Sequence, residues 1–264
     1  MNLEQLTAEV CIVAKQVGEY LAKERVVFHK DKIEKKGRND FVSYVDKTAE
    51  RLAVEQLSKL LDNASFITEE NTVKYVENDY CWIIDPLDGT TNFIHDNAPY
   101  CVSIALSYKQ ELQLGVVYEV CRNECFYAWK GGKAYLNGQV IKVSETQDFS
   151  QAFIQLEFPY NDKEYKPVIN SLIDQLYGKV SGIRNNGSAA MSLCYVAAGR
   201  FEMYVEAFIN IWDFAAGALI LEEAGGSVTN FSGDKNFLRG HHIVASNSLI
   251  HKNMIDLLAP FPMK

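Results

Sequence analysis

The chain has 264 residues, 48% hydrophobic and 23% charged, which suits one large domain or two closely packed ones and excludes a disordered or repetitive chain. A formal net charge of −8 leaves no sustained basic face for nucleic acid, so a phosphate-bearing partner must be received by local features. Uninterrupted apolar runs reach only about five residues, too short to span a membrane.

The N-terminus (MNLEQLTAEV) carries acidic and polar residues where a signal segment would carry basic then apolar ones, so a cytoplasmic chain without an anchor is expected. Leu3, Leu6, Val10, Val13, Val17 and Tyr20 recur at spacings of three and four and predict a long amphipathic first helix. The stretch Lys30 to Asp40, with five basic residues and Gly37, predicts a mobile loop. Ser43 to Asp46 has the spacing of a capping box before a second helix bearing Leu52, Leu57, Leu60 and Leu61.

Beyond Asp62 the period changes to that of strands at 65–68, 80–85, 102–108, 112–120 and 124–129, with turns at Gly131-Gly132 and Asn137-Gly138. The expected N-terminal half, 1–145, is therefore an antiparallel sheet packed by two helices. From Phe149 onward strands (152–157, 180–184, 202–206, 226–229, 242–246) interleave with helices (165–177, 188–198, 212–224, 248–258), so the half 146–264 is expected to be α/β. The fold class expected is α+β, a layered αβαβα sandwich. The six cysteines lack disulfide-scaffold spacing and read as reduced, and Cys121 and Cys125 have no second ligand pair for zinc.

The segment Trp82-Ile83-Ile84-Asp85-Pro86-Leu87-Asp88-Gly89-Thr90-Thr91-Asn92 ends an apolar strand in an acid, turns at Pro and Gly, and aims a second acid at the same place. By itself it also reads as a polar turn. Glu69 after the strand at 65–68, and Asp213 at a helix start, supply two further acids, each with its own ordinary reading as a loop charge or a helix N-terminal acid. If the four converge, each close pair costs on the order of 4 kcal/mol at 4 Å with an effective dielectric near 20, so cations must join them. Oxygen donors without His or Cys favour Mg²⁺.

The runs WIIDPLDGTTNF (82–93) and WDFAAGALILEEAGG (212–226), with Phe66-Ile67-Thr68-Glu69-Glu70, Gly182-Ile183-Arg184 and Gly187-Ser188-Ala189-Ala190, resemble the motifs of the inositol monophosphatase family across nearly the whole chain. The resemblance implies metal ligation by Glu69, Asp85, the Leu87 carbonyl, Asp88 and Asp213, for roughly two or three Mg²⁺ per site. It implies that Thr90 and Asp46, with Glu69, direct the attacking water. The phosphate would meet Asp88, the backbone of Gly89, Thr90 and Thr91, and Asp213, while Gly187, Ser188, Ala189 and Glu206 read the alcohol. In-line hydrolysis, lithium sensitivity and a homodimer are implied as well.

Two features depart from the family pattern. Thr68 stands where a Gly is usual, and Asn185-Asn186 precede Gly187, which bears on substrate choice. His95 and Asp96 read as exposed loop residues. The substrate expected is a small phosphorylated polyol, sugar or nucleotide, with inositol 1-phosphate first because Glu206 can accept from hydroxyls and no adenine platform is evident. Fructose 1,6-bisphosphate, 3′-phosphoadenosine 5′-phosphate and the 2′-phosphate of NADP remain alternatives within phosphatases. A non-catalytic phosphate-ligand binding protein is the alternative of another class.

Overall fold

Asn2 starts the first helix, its side-chain oxygen accepting the Gln5 N–H at 3.2 Å, and α1 runs Leu3–Val27 with Leu6, Val10, Val13, Val17 and Leu21 buried on one stripe. The computed structural model describes residues 1–28, 33–37, 40–159 and 165–261. Within the stretch expected to be a loop, β1 (Ile33–Gly37) and β2 (Asp40–Ser43) pair antiparallel, Ile33 opposite Ser43. A two-stranded ribbon is held by backbone hydrogen bonds and needs no apolar alternation, which is why its polar composition hid it. The remainder of that stretch, and with it the capping role of the Ser43 side chain, lies outside the described residues.

α2 (Tyr44–Leu60) follows, then β3 (Ser65–Thr68), β4 (Tyr80–Asp88), the short α3 (Thr90–Ile94), β5 (Cys101–Tyr108), β6 (Glu111–Glu119), β7 (Glu124–Trp129), β8 (Tyr135–Leu136) and β9 (Gln139–Val140). These seven strands lie in sequential order in one sheet. All neighbours are antiparallel except β3 and β4, which run parallel because the connection 69–79 is long enough to return the chain to the same end.

The second sheet is built from β10 (Phe153–Leu156), α4 (Lys166–Leu176), β11 (Gly182–Arg184), α5 (Ala189–Ala197), β12 (Met203–Ala207), α6 (Ile211–Glu223), β13 (Ser227–Thr229), β14 (His242–Ser246) and α7 (His251–Leu258). Its strand order is β11-β10-β12-β14-β13, with β10 parallel to β11 and β12, and β14 antiparallel to β12 and β13.

The period of two along each strand sorts side chains between cores. Trp82, Ile84, Val102, Ile104 and Leu106 join the core under α1 and α2, whereas Ile83, Cys101 and Ala105 face α5 and α6. Tyr204 also faces α5 and α6, while Ile154, Leu156, Met203 and Val205 pack under α4 and α7. Three cores thus separate five layers, the αβαβα sandwich expected. α6 lies between the sheets and is buried continuously from Phe214 to Leu221. Its close seat on the first sheet needs Gly115, where a Cβ would stand 2.5 Å from the Ala216 carbonyl oxygen.

Candidate active site

A cavity of about 790 Å³ opens where the end of β4, the start of α3, the N-termini of α5 and α6 and the ends of β10 and β12 meet. Glu69, Asp85, Asp88 and Asp213 all line it, joined by Glu157 and Glu206, and among the described residues no Lys, Arg or His side chain does so.

Local chemistry builds the β4 turn. Asp85 accepts the Leu87 N–H at 2.9 Å, Pro86 has no N–H to offer the ladder, and the β4–β5 register shifts between Asp85 and Asp88. Gly89 ends the turn at φ 91°, and a Cβ there would meet the Pro99 carbonyl oxygen at 3.0 Å. Thr90 and Thr91 then open α3 on the cavity wall. The Thr90 hydroxyl lies 3.1 Å from Asp46 Oδ1 and 3.0 Å from the Leu87 carbonyl oxygen, so buried Asp46 on α2 sits behind the threonine.

Asp88 is held from the other half of the chain. Ser188 donates its hydroxyl to Asp88 Oδ2 at 2.6 Å, the Ala190 N–H donates to the same oxygen at 2.8 Å, and Ser188 Oγ also caps α5 by accepting from Met191 N–H. Ser188 is therefore both the helix cap expected on local grounds and the partner that holds Asp88, with Ala189 and Gly187 beside it on the cavity wall. Asp213, in the first turn of α6, accepts the Asn210 N–H at 2.6 Å and still faces the cavity.

Burial, followed by repulsion from Glu69, Asp88 and Asp213, holds the Asp85 carboxyl well above the ordinary carboxylate range. Burial likewise pushes Asp88 up, with the Ser188 hydroxyl and the Ala190 and Ala189 N–H groups pulling it back. Glu206 is raised by burial and by Glu157, against the hydrogen bond from Tyr204. Such a cluster gains when a cation replaces its protons. Among the described residues no group of three His, Cys, Asp or Glu side chains encloses an ion by itself. Magnesium usually takes one or two carboxylates and completes its shell with water and phosphate oxygens, so this open set of hard oxygen donors fits that ion.

Several supporting residues escaped the sequence reading. Glu50, fully buried on α2, accepts the Glu70 and Thr72 N–H groups at 2.7 Å each and fixes the loop carrying Glu69. Glu157 accepts from Asn186 N–H at 2.6 Å and Gly187 N–H at 3.1 Å, and burial raises its carboxyl to about 7. Asn92 donates to the carbonyls of Pro99 and Asn186 at 2.8 Å, tying the first motif to the Gly187 loop. Arg25 donates to the Phe93 carbonyl at 2.6 Å at the end of α3. An acid placed on a helix stripe or at a strand end was the sole local signal for Glu50 and Glu157. His95 and Asp96 are exposed, as expected. Thr68 ends β3 in extended backbone, which a β-branched residue favours. Phe158, Phe208 and Trp212 line the cavity, three rings that the sequence did not place there.

A model of the inositol monophosphatase family matches residues 2–260. The Nus factor SuhB of Escherichia coli K12 is 38% identical over 243 residues, which cover 92% of this chain and 91% of that protein. Among solved structures, the extragenic suppressor protein suhB from Bartonella henselae superposes with a TM-score of 0.91 at 30% identity, covering 99% of this chain and 100% of that one. The inositol monophosphatase from Anabaena superposes with a TM-score of 0.87 at 32% identity, covering 99% and 98%.

Proposed function

The chain belongs to the inositol monophosphatase family, and on that premise we propose that it is a Mg²⁺-dependent phosphomonoesterase of small hydroxyl-rich esters, with inositol 1-phosphate as the first substrate to test. One observation carries the reading: among the described residues six carboxylates and no basic side chain line the cavity, so the wall they form receives a phosphate dianion only with cations.

Glu69, Asp85, the Leu87 carbonyl, Asp88 and Asp213 are the groups that would hold the metal. Bound there, magnesium supplies positive charge to the phosphate and acidity to the attacking water. Thr90, donating its own proton to Asp46, turns its oxygen lone pairs outward, where they can orient a water by accepting its proton. The backbone N–H groups of Gly89, Thr90 and Thr91 point phosphate oxygens toward the β4 turn. Glu206 accepts hydrogen bonds from the hydroxyls of the alcohol half, and Ser188, by fastening Asp88, keeps the metal-binding acid from rotating away. A cytoplasmic homodimer sensitive to lithium belongs to the same reading.

Among the described residues no helix is long and apolar enough to cross a membrane. Phosphate release from inositol 1-phosphate, fructose 1,6-bisphosphate, NADP and 3′-phosphoadenosine 5′-phosphate tests the proposal. Mg²⁺-dependent release is expected, and absence of release from every ester at millimolar Mg²⁺ overturns it.

A further inference from the structure

α3 is little more than one helical turn, too short to fix itself, so the place of Thr90 depends on what holds the far end of that turn. Two consecutive residues in the last turn of α1 do the holding from behind. The Arg25 guanidinium donates to the Phe93 carbonyl at 2.6 Å and lies 5.2 Å from the centres of both the Phe93 and Phe28 rings. The Phe93 ring is itself pinned edge-on between Phe28 and Tyr100, each 5.3 Å away. Glu24, the neighbour of Arg25 in sequence, accepts the phenol hydrogen of Tyr44, the first residue of α2.

These anchors reach the two halves of one hydrogen bond. Tyr44 stands two residues before Asp46 on α2, Phe93 stands three after Thr90 on α3, and the Thr90 hydroxyl meets Asp46 Oδ1 at 3.1 Å across 44 positions of sequence. Neither Glu24 nor Arg25 lines the cavity. The Arg25 side chain is only 19% exposed, and its 3.7 Å ion pair is with Asp96, which is 79% exposed and contributes little. A guanidinium set among rings and carbonyls gives up hydration that an apolar side chain would not, so packing alone does not call for it.

We propose that Glu24 and Arg25 are positioning residues for the hydrolysis: from one turn of α1 they fix α2 and α3 relative to each other, and so hold the Thr90 oxygen where it orients the attacking water. This rests on the phosphatase reading above and adds to it two residues outside the cavity. The acids that would hold metal stand elsewhere, Glu69 after β3, Asp85 and Asp88 on β4 and Asp213 on α6, so loosening the clamp alters the placing of the water and leaves metal and ester binding in place. A reacting group displaced by about 1 Å costs on the order of 100-fold in rate.

The test follows phosphate release from inositol 1-phosphate over a range of Mg²⁺ concentrations in wild type, Arg25→Met, Arg25→Lys and Tyr44→Phe, with thermal unfolding to establish that each is folded. In Arg25→Met kcat should fall about tenfold, and in Tyr44→Phe several-fold, while KM and the half-saturating Mg²⁺ concentration stay within about twofold of wild type. Arg25→Lys, whose ammonium can still donate to the Phe93 carbonyl, should recover part of the loss. Where Arg25→Met does not fold, the same split in Arg25→Lys and Tyr44→Phe decides.

An unchanged kcat in the folded variants overturns the positioning role and keeps the phosphatase. A rise in KM or in the half-saturating Mg²⁺ concentration that matches the fall in kcat also overturns it, because the whole site is then disturbed and not the Thr90–Asp46 pair. Absence of release by wild type from every ester removes the reading on which the proposal rests.

Discussion

The Ser188 hydroxyl donates to Asp88 Oδ2 at 2.6 Å, joining residues 100 positions apart and fastening the first residue before α5 to the turn at the end of β4. Without that donor Asp88 retains the Ala190 N–H alone among its close partners at this oxygen, apart from the Cys101 thiol at 3.7 Å. Ser188→Ala removes a helix cap as well, so it should cost about 1 kcal/mol of stability and raise the Mg²⁺ concentration for half-maximal activity. Thermal unfolding and a Mg²⁺ titration of turnover check the two effects separately. An unchanged Mg²⁺ requirement would show that Asp88 does not depend on this bond.

Glu157 predicts how the metal-free protein responds to pH. Burial raises its carboxyl from 4.5 to about 7, despite the N–H groups of Asn186 and Gly187. A raised carboxyl favours the protonated form in the fold, so the stability it contributes is full below about pH 4.5 and lost as pH climbs through about 7. The loss for this group is on the order of 3 kcal/mol, and the neighbours Asp88, buried, and Glu206, half-buried, act in the same direction. After EDTA treatment, wild type should lose thermal stability between pH 5 and 8 more steeply than Glu157→Gln, whose amide oxygen can still accept both N–H groups. Parallel curves would contradict the assignment.

Gly115 links packing to the site. Ala216 lies one turn beyond Asp213 on α6, and the methyl of Gly115→Ala would press to within 2.5 Å of its carbonyl oxygen. Overpacking of this kind should destabilise by roughly 1–3 kcal/mol and, by shifting α6, increase the Mg²⁺ requirement several-fold. Chemical denaturation and activity as a function of Mg²⁺ measure both. A destabilised variant with an unaltered Mg²⁺ requirement would place Asp213 outside the metal site.

Glu206 is expected to read hydroxyls rather than to perform chemistry. Tyr204 donates to one of its oxygens, and the residue lines the cavity beside Glu157 and Asp213. Glu206→Gln should cost roughly 1–2 kcal/mol in kcat/KM on esters whose alcohol carries neighbouring hydroxyls, and little on an aryl phosphate. Equal losses on both would point to a general electrostatic role.

The β4 turn was legible in the sequence because its causes are local. Pro86, Gly89 and two aspartates three residues apart dictate a turn whatever surrounds it, and the threonines after it begin a helix. The alternation of strands and helices after Phe149 was readable for the same reason. Glu50 and Glu157 were not, since their meaning lies in N–H groups that the chain brings to them from residues 20 and 29 positions away. The parallel pairing of β3 with β4 depends on where a long connection returns, and nothing in the sequence around Phe208 forecast its left-handed backbone beside the cavity. Polar composition concealed β1 and β2, because backbone hydrogen bonding between two strands is indifferent to it.

Acids that serve phosphate hydrolysis by holding metal leave the protein inactive when the metal is taken away. Removing metal with EDTA, desalting, and titrating Mg²⁺ back, while phosphate release from inositol 1-phosphate is followed in wild type and Asp88→Asn, is the decisive measurement. The expected result is no release without metal, recovery in the millimolar range because Mg²⁺ gives up its water reluctantly, and a loss greater than about tenfold, or ~1.4 kcal/mol of barrier stabilisation, in Asp88→Asn at saturating Mg²⁺. Undiminished release after EDTA treatment, or wild-type turnover by Asp88→Asn, would contradict it.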